Sequence, residues 1–283
     1  MAGGDNHLDE ARTLYARMMA AASGSSDPRI ERVFELVPRE AFLPPGPWNV
    51  MVGHRYIETP SDDPAHLYQN ALVTLDRRKG INNGEPFLHA AWIGAVAPRP
   101  GEIVTQVGAG GGYYTAVLAT LVLPDGKIFA YEIDKALARS AEHNLAPFEN
   151  AAVITGDAVK AALPASDIIY VNAGVVAPPL HWLEALKPGG RLIFPWRPTQ
   201  DIGLAILVTA GPSGFSVRTV GSAWFIPCIG ASDEATTIRR PGEREAASVK
   251  SVVLSSRRRP DGSAVAVYPD LWFSSAPPVA ALN

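Results

Sequence analysis

Glu102-Ile-Val-Thr-Gln-Val-Gly-Ala-Gly-Gly-Gly-Tyr-Tyr-Thr-Ala-Val-Leu-Ala119 is the stretch that decides the fold. A short apolar run, Glu102 to Val107, reads as a strand. Gly108-Ala-Gly-Gly-Gly112 follows at once, and Tyr113 to Leu121 reads as a helix. Glycines between a strand and a helix let the chain turn tightly and let backbone approach a ligand. The exposed N–H groups of the helix start favour a negative or polar ligand group. A dinucleotide fingerprint wants glycines at the first, third and sixth positions. Here the sixth position is Tyr113. A phosphate-clamping loop needs a lysine followed by Ser or Thr, and none is present.

The alternation continues downstream. Pro124-Asp-Gly126 is a turn, and Lys127 to Glu132 a second strand. Lys135 to Leu145 is a helix, Ala152 to Thr155 a short strand, and Asp167 to Asn172 another. Pro179 to Leu186 is a helix stopped by Lys187-Pro-Gly-Gly190, and Arg191 to Pro195 is a fifth strand. Such βαβ units imply a parallel sheet with helices on both faces. The strands are short apolar runs, as expected of strands buried on both sides. After Trp196, Leu204 to Thr209 and Ser216 to Pro227 read as an antiparallel pair around Pro212-Ser-Gly214. Glu243 to Ser256 and Ala264 to Tyr268 flank a basic turn, Arg257 to Gly262. The expectation is an α/β, Rossmann-like fold with a seven-stranded, mostly parallel sheet and an antiparallel last strand.

Upstream, Leu8 to Ala22 and Arg29 to Leu36 read as helices, the second capped by Asp27 with Pro28 in its first turn. Gly53 to Gly84 has weak periodicity and reads as irregular structure. Phe87 to Ala97 has helical spacing. The expected division is an N-terminal helical cap with substrate-side loops (1–85), a ligand-binding core (86–230) and a C-terminal extension, read as a β hairpin on the core (231–283).

Composition narrows the class. A chain of 283 residues, 47% of them apolar, can bury a full core. The formal charge of -3 argues against a nucleic-acid partner. The single cysteine, Cys228, gives no disulfide framework and no cysteine-based metal site. The N-terminus, with Asp5, Asp9 and Glu10, does not read as a signal peptide, and no stretch reads as a membrane span. A cytoplasmic monomer or homodimer, with neither membrane nor metal, is the expectation.

Candidate site residues lie at strand ends. Glu132 ends its strand where an acid can accept both hydroxyls of a ribose. Asp157, in Thr155-Gly-Asp-Ala158, can accept from an exocyclic amine or cap the turn. Asn172, Ala173 and Gly174 leave room for an amino-acid moiety.

Together these turns resemble the class I S-adenosylmethionine-dependent methyltransferases, and more finely the protein-L-isoaspartate (D-aspartate) O-methyltransferase family. The resemblance covers about residues 29–230. It begins at Arg32-Val-Phe-Glu-Leu-Val-Pro-Arg-Glu-Ala-Phe-Leu-Pro44 and takes in Tyr68, Pro86 and the glycine loop. Tyr131-Glu-Ile-Asp134, Gly156-Asp157, Leu186-Lys-Pro-Gly-Gly-Arg-Leu-Ile-Phe-Pro195 and Phe225-Ile-Pro227 complete it. It implies S-adenosyl-L-methionine as cofactor, held by Gln106, Gly108, Ala109, Gly110, Tyr113, Glu132, Ile133, Gly156, Asp157, Ala158 and Asn172. It implies methylation of a carboxylate on a peptide, protein or small molecule.

The sequence departs from the family at the acceptor loop. The family's Thr-Ile-Ser-Gln/Ala-Pro stretch corresponds to Asn82-Asn-Gly-Glu-Pro86, so Gly84 stands at the serine position. Gln106 stands where an acid is usual, and the chain runs some fifty residues past the family's end. Asn82, Asn83, Gly84 and Glu85 are the candidate acceptor-side residues. A carboxylate has exposed lone pairs and needs no general base near neutral pH. A phenol or amine acceptor would benefit from one, for which His54, His66 and His89 are the candidates. Another acceptor, or a noncatalytic cofactor-binding interaction protein, are the alternative functions.

Overall fold

The computed structural model describes residues 3–53 and 55–279. They form two compact units. One comprises the chain up to Glu102 together with Gly108–Gly156, the other Ile103–Val107 together with Asp157 onward.

The first unit opens with α1 (Gly3–Ser23) and α2 (Pro28–Leu36). Asp27 caps α2 by accepting from the Arg29 N–H at 3.0 Å, with Pro28 at the first turn where its missing donor is harmless. Ile30, Val33 and Phe34 recur at helical spacing and are buried. Tyr15 of α1 meets Phe34 edge-on, ring centroids 6.0 Å apart.

The segment that reads as irregular in sequence is a four-stranded antiparallel sheet. Its strands are β1 (Asn49–Val52), β2 (Arg55–Glu58), β3 (Leu72–Asp76) and β4 (Ile81–Asn82), in the order β2-β1-β3-β4. β2 is exposed along its whole length and β4 has two residues, so neither carries an alternating pattern. The sheet holds its own small core of Trp48, Val50, Leu67, Ala71 and Val73.

α3 (Pro86–Val96) follows, and after β5 (Ile103–Val107), a strand of the second unit, come α4 (Tyr113–Leu121), β6 (Lys127–Glu132), α5 (Lys135–Asn144) and β7 (Ala151–Thr155). β6 and β7 run parallel, from Ile128 opposite Ala151 to Glu132 opposite Thr155. Every residue of α4 except Thr120 is buried, which explains its lack of a polar face.

In the second unit β8 (Ser166–Val171), α6 (Leu180–Glu184), β9 (Leu186–Thr199), β10 (Ile202–Gly211) and β11 (Gly214–Ser222) precede α7 (Glu243–Ala246), β12 (Ser251–Leu254), β13 (Ala264–Val267) and β14 (Leu271–Ser274). The strand order is β13-β14-β12-β11-β10-β9-β8-β5. β5, β8 and β9 are parallel, and every later pairing is antiparallel. The expected hairpin around Pro212-Ser213 is present, closing with Gly211 opposite Gly214.

Two expectations are corrected. This unit alone carries eight strands in one sheet, five of them in the antiparallel part, so the seven-stranded sheet with one antiparallel last strand does not hold. The C-terminal extension is a three-stranded addition. Its hairpin joins β13 to β14, while β12 pairs with β14, so the turn at Arg257 to Gly262 is not a hairpin turn. β14 is buried at all four positions, a pattern without the alternation that marks a surface strand. Among the described residues no helix is long and apolar enough to cross a membrane.

The most demanding feature of the first unit is the fully buried Arg39. Its guanidinium donates to the carbonyls of Leu67, Gln69 and Ala71 and lies 5.4 Å from the Tyr15 ring centroid. Arg39→Met keeps the length of the side chain but removes three hydrogen bonds from a charged donor, each contributing about 1.5–3 kcal/mol before non-additivity. The expected outcome in urea unfolding is a loss of at least about 2 kcal/mol for the transition reporting on the first unit. An unchanged midpoint would show that those carbonyls find other donors.

Candidate cofactor and acceptor site

The loop after β5 is a chain of close approaches. Gly108, Gly110 and Gly112 have φ of 83°, 57° and 93°, the left-handed region open mainly to glycine. Gly111 is needed for space, since a Cβ there would run into the carbonyl oxygen of Phe42. The N–H groups of Gly108 and Ala109 both donate to the Tyr131 carbonyl, at 2.9 and 3.1 Å. The Gly110 N–H donates to Glu132 Oε2 at 2.8 Å, and the Asp134 N–H to Oε1 at 2.9 Å. Glu132 therefore fastens the glycine loop to its own turn, yet each carboxylate oxygen keeps lone-pair capacity for a further donor. It is 6% exposed, and burial, opposed by those backbone donors, raises its pKa above the ordinary carboxylate value.

The remaining first-unit residues fall around this turn. Gly156 donates its N–H to the Glu132 carbonyl at 2.9 Å and has open space where a Cβ would stand. Ile133, beside Glu132, exposes its side chain. Tyr113 differs from its expected role. Its side chain is buried in the N-terminal helical layer, edge-on to Phe42 at 5.7 Å and beneath the Arg39 guanidinium at 5.8 Å, which leaves only its helix-start backbone for a ligand.

In the second unit Gln106 is buried within β5, and Asn172 follows β8 with its N–H on the Val107 carbonyl at 2.8 Å. Asp157 turns its carboxylate onto its own turn, accepting from the Val159 N–H at 2.9 Å with Lys160 3.5 Å away. The carbonyl of Ala158 accepts from Trp182 Nε1 at 3.0 Å.

The acceptor-side candidates lie on one tight segment of the first unit. Asn82 Oδ1 accepts from the Gly84 N–H at 2.9 Å. Asn83 completes a strand pairing: its N–H donates to the Val73 carbonyl at 2.9 Å, and its Oδ1 accepts from the Val73 N–H at 2.8 Å. Gly84 has φ of 79°. A Cβ there would stand 2.7 Å from His89 Cδ2 and 3.0 Å from Tyr114 Cε2. His89 stacks on Tyr114 with ring centroids 3.7 Å apart. Glu85 accepts from Asn70 Nδ2 at 2.9 Å, not from the basic segment Arg77 to Lys79. Lys79 instead bridges Asp76 and Asp134. Asn70 is the residue the sequence reading missed. Its Oδ1 also accepts from the Phe87 N–H at 2.8 Å, so one amide ties Glu85 to the start of α3. Fifteen residues separate Asn70 from Glu85, and no spacing rule reaches that far.

Of the three candidate histidines, His89 is held far from the range of a neutral-pH base. His89 is fully buried, and burial, with Arg39 adding to it, pushes its pKa down to about 3. His66 is partly buried with its ring nitrogen 3.2 Å from Ser61 Oγ, and His54 lies outside the described residues.

A parallel α/β unit opened by a glycine turn, with an acid at the end of the next strand, has the class I methyltransferase design. The protein-L-isoaspartate(D-aspartate) O-methyltransferase family matches residues 19–233, and the chain belongs to that family. It is an S-adenosylmethionine-dependent methyltransferase. The Methylorubrum populi protein-L-isoaspartate O-methyltransferase is 32% identical over 224 residues, covering 78% of this chain and 96% of the relative. The Pelotomaculum thermopropionicum enzyme is 29% identical over 230 residues, covering 80% and 91%. A solved protein-L-isoaspartate O-methyltransferase structure superposes with a TM-score of 0.66 at 21% identity, over 94% of this chain and 88% of that one. A Plasmodium falciparum beta-aspartate methyltransferase structure holding S-adenosyl-L-homocysteine gives 0.61 at 16% identity, over 77% and 97%.

Two measurements check this site. Glu132→Ala should weaken S-adenosylmethionine binding at least about tenfold, since it removes charged acceptors worth about 1.5–3 kcal/mol each. Because the carboxyl pKa is raised, acidification protonates it, and wild-type affinity should fall with a midpoint above the ordinary 4.5. Calorimetry showing an unchanged Kd for the alanine variant would remove Glu132 from the site. Gly84→Ser should destabilise the protein by about 1–3 kcal/mol through overpacking against His89, on top of the strain of positive φ. A serine variant as stable as wild type would show that the His89–Tyr114 pair yields.

Proposed function

We propose that this enzyme methylates a carboxylate oxygen of a peptide or protein acceptor, and that ordinary isoaspartyl peptides are slow substrates. The observation that carries the reading is the histidine beside the acceptor loop. With a pKa of about 3, His89 is too weak a base to take a proton from a phenol or an ammonium group near neutral pH. An acceptor whose lone pairs are already free fits such a site, and a carboxylate is one.

The residues would divide the work as follows. Gly108, Ala109 and Gly110 offer close backbone approach, Glu132 accepts from ribose hydroxyls, and Ile133 covers an adenine face. Gly156, Asp157 and Ala158 would border the base, and Gln106 and Asn172 the amino-acid part, with Tyr113 contributing helix-start backbone. When bound, S-adenosylmethionine supplies an electrophilic methyl group on a sulfonium centre. The chain's part is then alignment and exclusion of water. Asn82, Asn83, Gly84 and Glu85 would border the acceptor. Asn83 is committed to Val73, so Asn82, whose Nδ2 is free to donate while its oxygen holds Gly84, is the better contact.

Slow isoaspartyl turnover follows from Gly84, which supplies no hydroxyl and has no space for one. Residues 1–85 would serve the acceptor side, 86–230 the cofactor, and 231–283 the sheet edge. One cysteine in 283 residues fits a reducing, cytoplasmic setting.

Methyl transfer from labelled cofactor to matched isoaspartyl and aspartyl peptides tests this. The expected product is a methyl ester that mild alkali releases as methanol, formed on isoaspartyl peptides well below about 1 per second. Label that survives alkali on an amine or phenol would overturn the carboxylate assignment.

A further inference from the structure

β2 (Arg55–Glu58) is the outer strand of the small antiparallel sheet, paired with β1 on one side and open on the other. The direction of its backbone groups follows from the register with β1. The Thr59 N–H donates to the Trp48 carbonyl at 2.8 Å, and bonded pairs alternate with non-bonded ones along an antiparallel ladder. Ile57 and Arg55 therefore turn their N–H and C=O groups to Val50 and Val52, while Tyr56 and Glu58 turn theirs to the open edge. No bulge interrupts this register and no proline stands in the strand, two devices by which edges are commonly blocked. Its charges, Arg55 and Glu58, stand at the two ends.

The side chains divide between two faces. Ile57 shares a face with its partner Val50, which with Val73 belongs to the small core of this sheet. At β2 that core stops, and Ile57 is left 52% exposed. Tyr56 and Glu58 lie on the other face. There the Arg77 guanidinium sits 5.0 Å from the Tyr56 ring centroid. Among the described residues neither Arg77 nor Glu58 has an ion-pair partner. Asp76, next to Arg77, is taken by Lys79 and by the N–H groups of Arg78 and Lys79.

We propose that β2 is a self-association edge, on which a second copy of this chain docks by two-fold antiparallel pairing of the two β2 strands. Directly opposed residues must both turn their backbone groups across the seam or both turn them away. A two-fold axis at Ile57 satisfies this. Tyr56 then faces the partner's Glu58, Ile57 faces the partner's Ile57, and Glu58 faces the partner's Tyr56. The two Tyr56–Glu58 pairs exchange four hydrogen bonds between the chains. The isoleucines form the close, non-bonded kind of pair, Cα atoms about 4.5 Å apart, and join the two small cores. On the other face each Glu58 meets the Arg77 that lies over the opposing Tyr56, so the two unpaired charges are matched twice. The two Glu58 side chains are diagonal neighbours, about 7–8 Å apart, and each is answered by an arginine. An axis at Tyr56 would instead oppose Arg55 to Ile57, a charge to an apolar side chain. The pairing uses the β2 edge of both copies, so it closes at two. β4, which leads into Asn83, Gly84 and Glu85, is at the other edge of the sheet and stays open.

The test is sedimentation velocity of the full-length protein. A four-bond seam is a small interface, so a Kd of about 10–100 μM is expected and loading spans that range. Wild type should show a single monomer–dimer step. Glu58→Arg and Arg77→Glu each set like charges together at two symmetric places and should weaken association at least about tenfold. The double exchange should return it to within about threefold of wild type. Both side chains are exposed, and an unchanged melting temperature shows the variants to be folded. Amide exchange in wild type gives a readout that needs no variant. The Tyr56 and Glu58 N–H groups should gain protection with concentration, while the Ile57 N–H, already bonded to β1, should change little. A chain that stays monomeric to the top of the range overturns the proposal. So does a dimer indifferent to both single exchanges, a double exchange that fails to restore association, or protection that appears elsewhere than at Tyr56 and Glu58.

Discussion

Arg39 is the constraint on which the first unit depends. A guanidinium cannot shed its charge, so burying it demands a full set of acceptors. The chain meets that demand only at the two terminal nitrogens, which donate to the carbonyls of Leu67, Gln69 and Ala71 between the faces of Tyr15 and Tyr113, while Nε is left without a partner. Those groups come from α1, from the start of α4 and from the segment leading into β3. One side chain therefore fixes where the small antiparallel sheet stands relative to the helix that follows the glycine loop. A neighbouring network repeats the theme closer to the surface. Tyr68 donates to Glu40 at 2.5 Å and accepts from Arg12 Nε at 2.8 Å. A neutral side chain at position 39 would free the segment 67–71 to slide, and β3, with the Asn83 pairing on Val73, would slide with it.

The glycine loop has a second constraint of the same kind. Glu132 is buried at the point where two backbone N–H groups need acceptors. Desolvation disfavours its charge while the donors favour it, and burial wins. Its two oxygens are held by backbone N–H groups that any ligand must share. A hydroxyl pair entering there adds donors to an under-solvated acceptor, which makes the interaction stronger than at a surface carboxylate. The same residue shapes the loop and would bind the ligand, so its loss is expected to damage both.

What the sequence made legible followed from local rules. The Asp27 cap, the glycine loop, the buried runs of β5 and β8 and the hairpin around Pro212-Ser213 each rest on neighbours in the chain. What stayed hidden rests on distant partners. β2 has no buried face, so periodicity had nothing to report, and its place is set by pairing with β1. Asn70 looks like an ordinary turn residue until its amide is seen holding both Glu85 and the first turn of α3. The family resemblance implies a cofactor contact at Tyr113, whose ring packs against Arg39 and Phe42. The unexpected strand of the C-terminal extension, β14, is buried at all four positions and lacks alternation, and its pairing with both β12 and β13 is not written in composition.

Gly84 shows most clearly why a motif cannot be edited one letter at a time. In sequence it stands as a serine lost from a family pattern, which invites its restoration. In the structure the missing side chain is replaced by two others. His89 and Tyr114 stack in the volume a Cβ would need, the backbone holds a positive φ, and Asn82 caps the turn from below. The glycine and the histidine are therefore a coupled pair. His89 can be buried and neutral because Gly84 leaves it room, and Gly84 is required because His89 fills that room. A hydroxyl at position 84 is compatible with this loop only if position 89 becomes smaller at the same time. The shape of the loop from Asn82 to Pro86 is thus set jointly by Gly84, His89 and Tyr114, and no one of them can be changed alone without the others giving way.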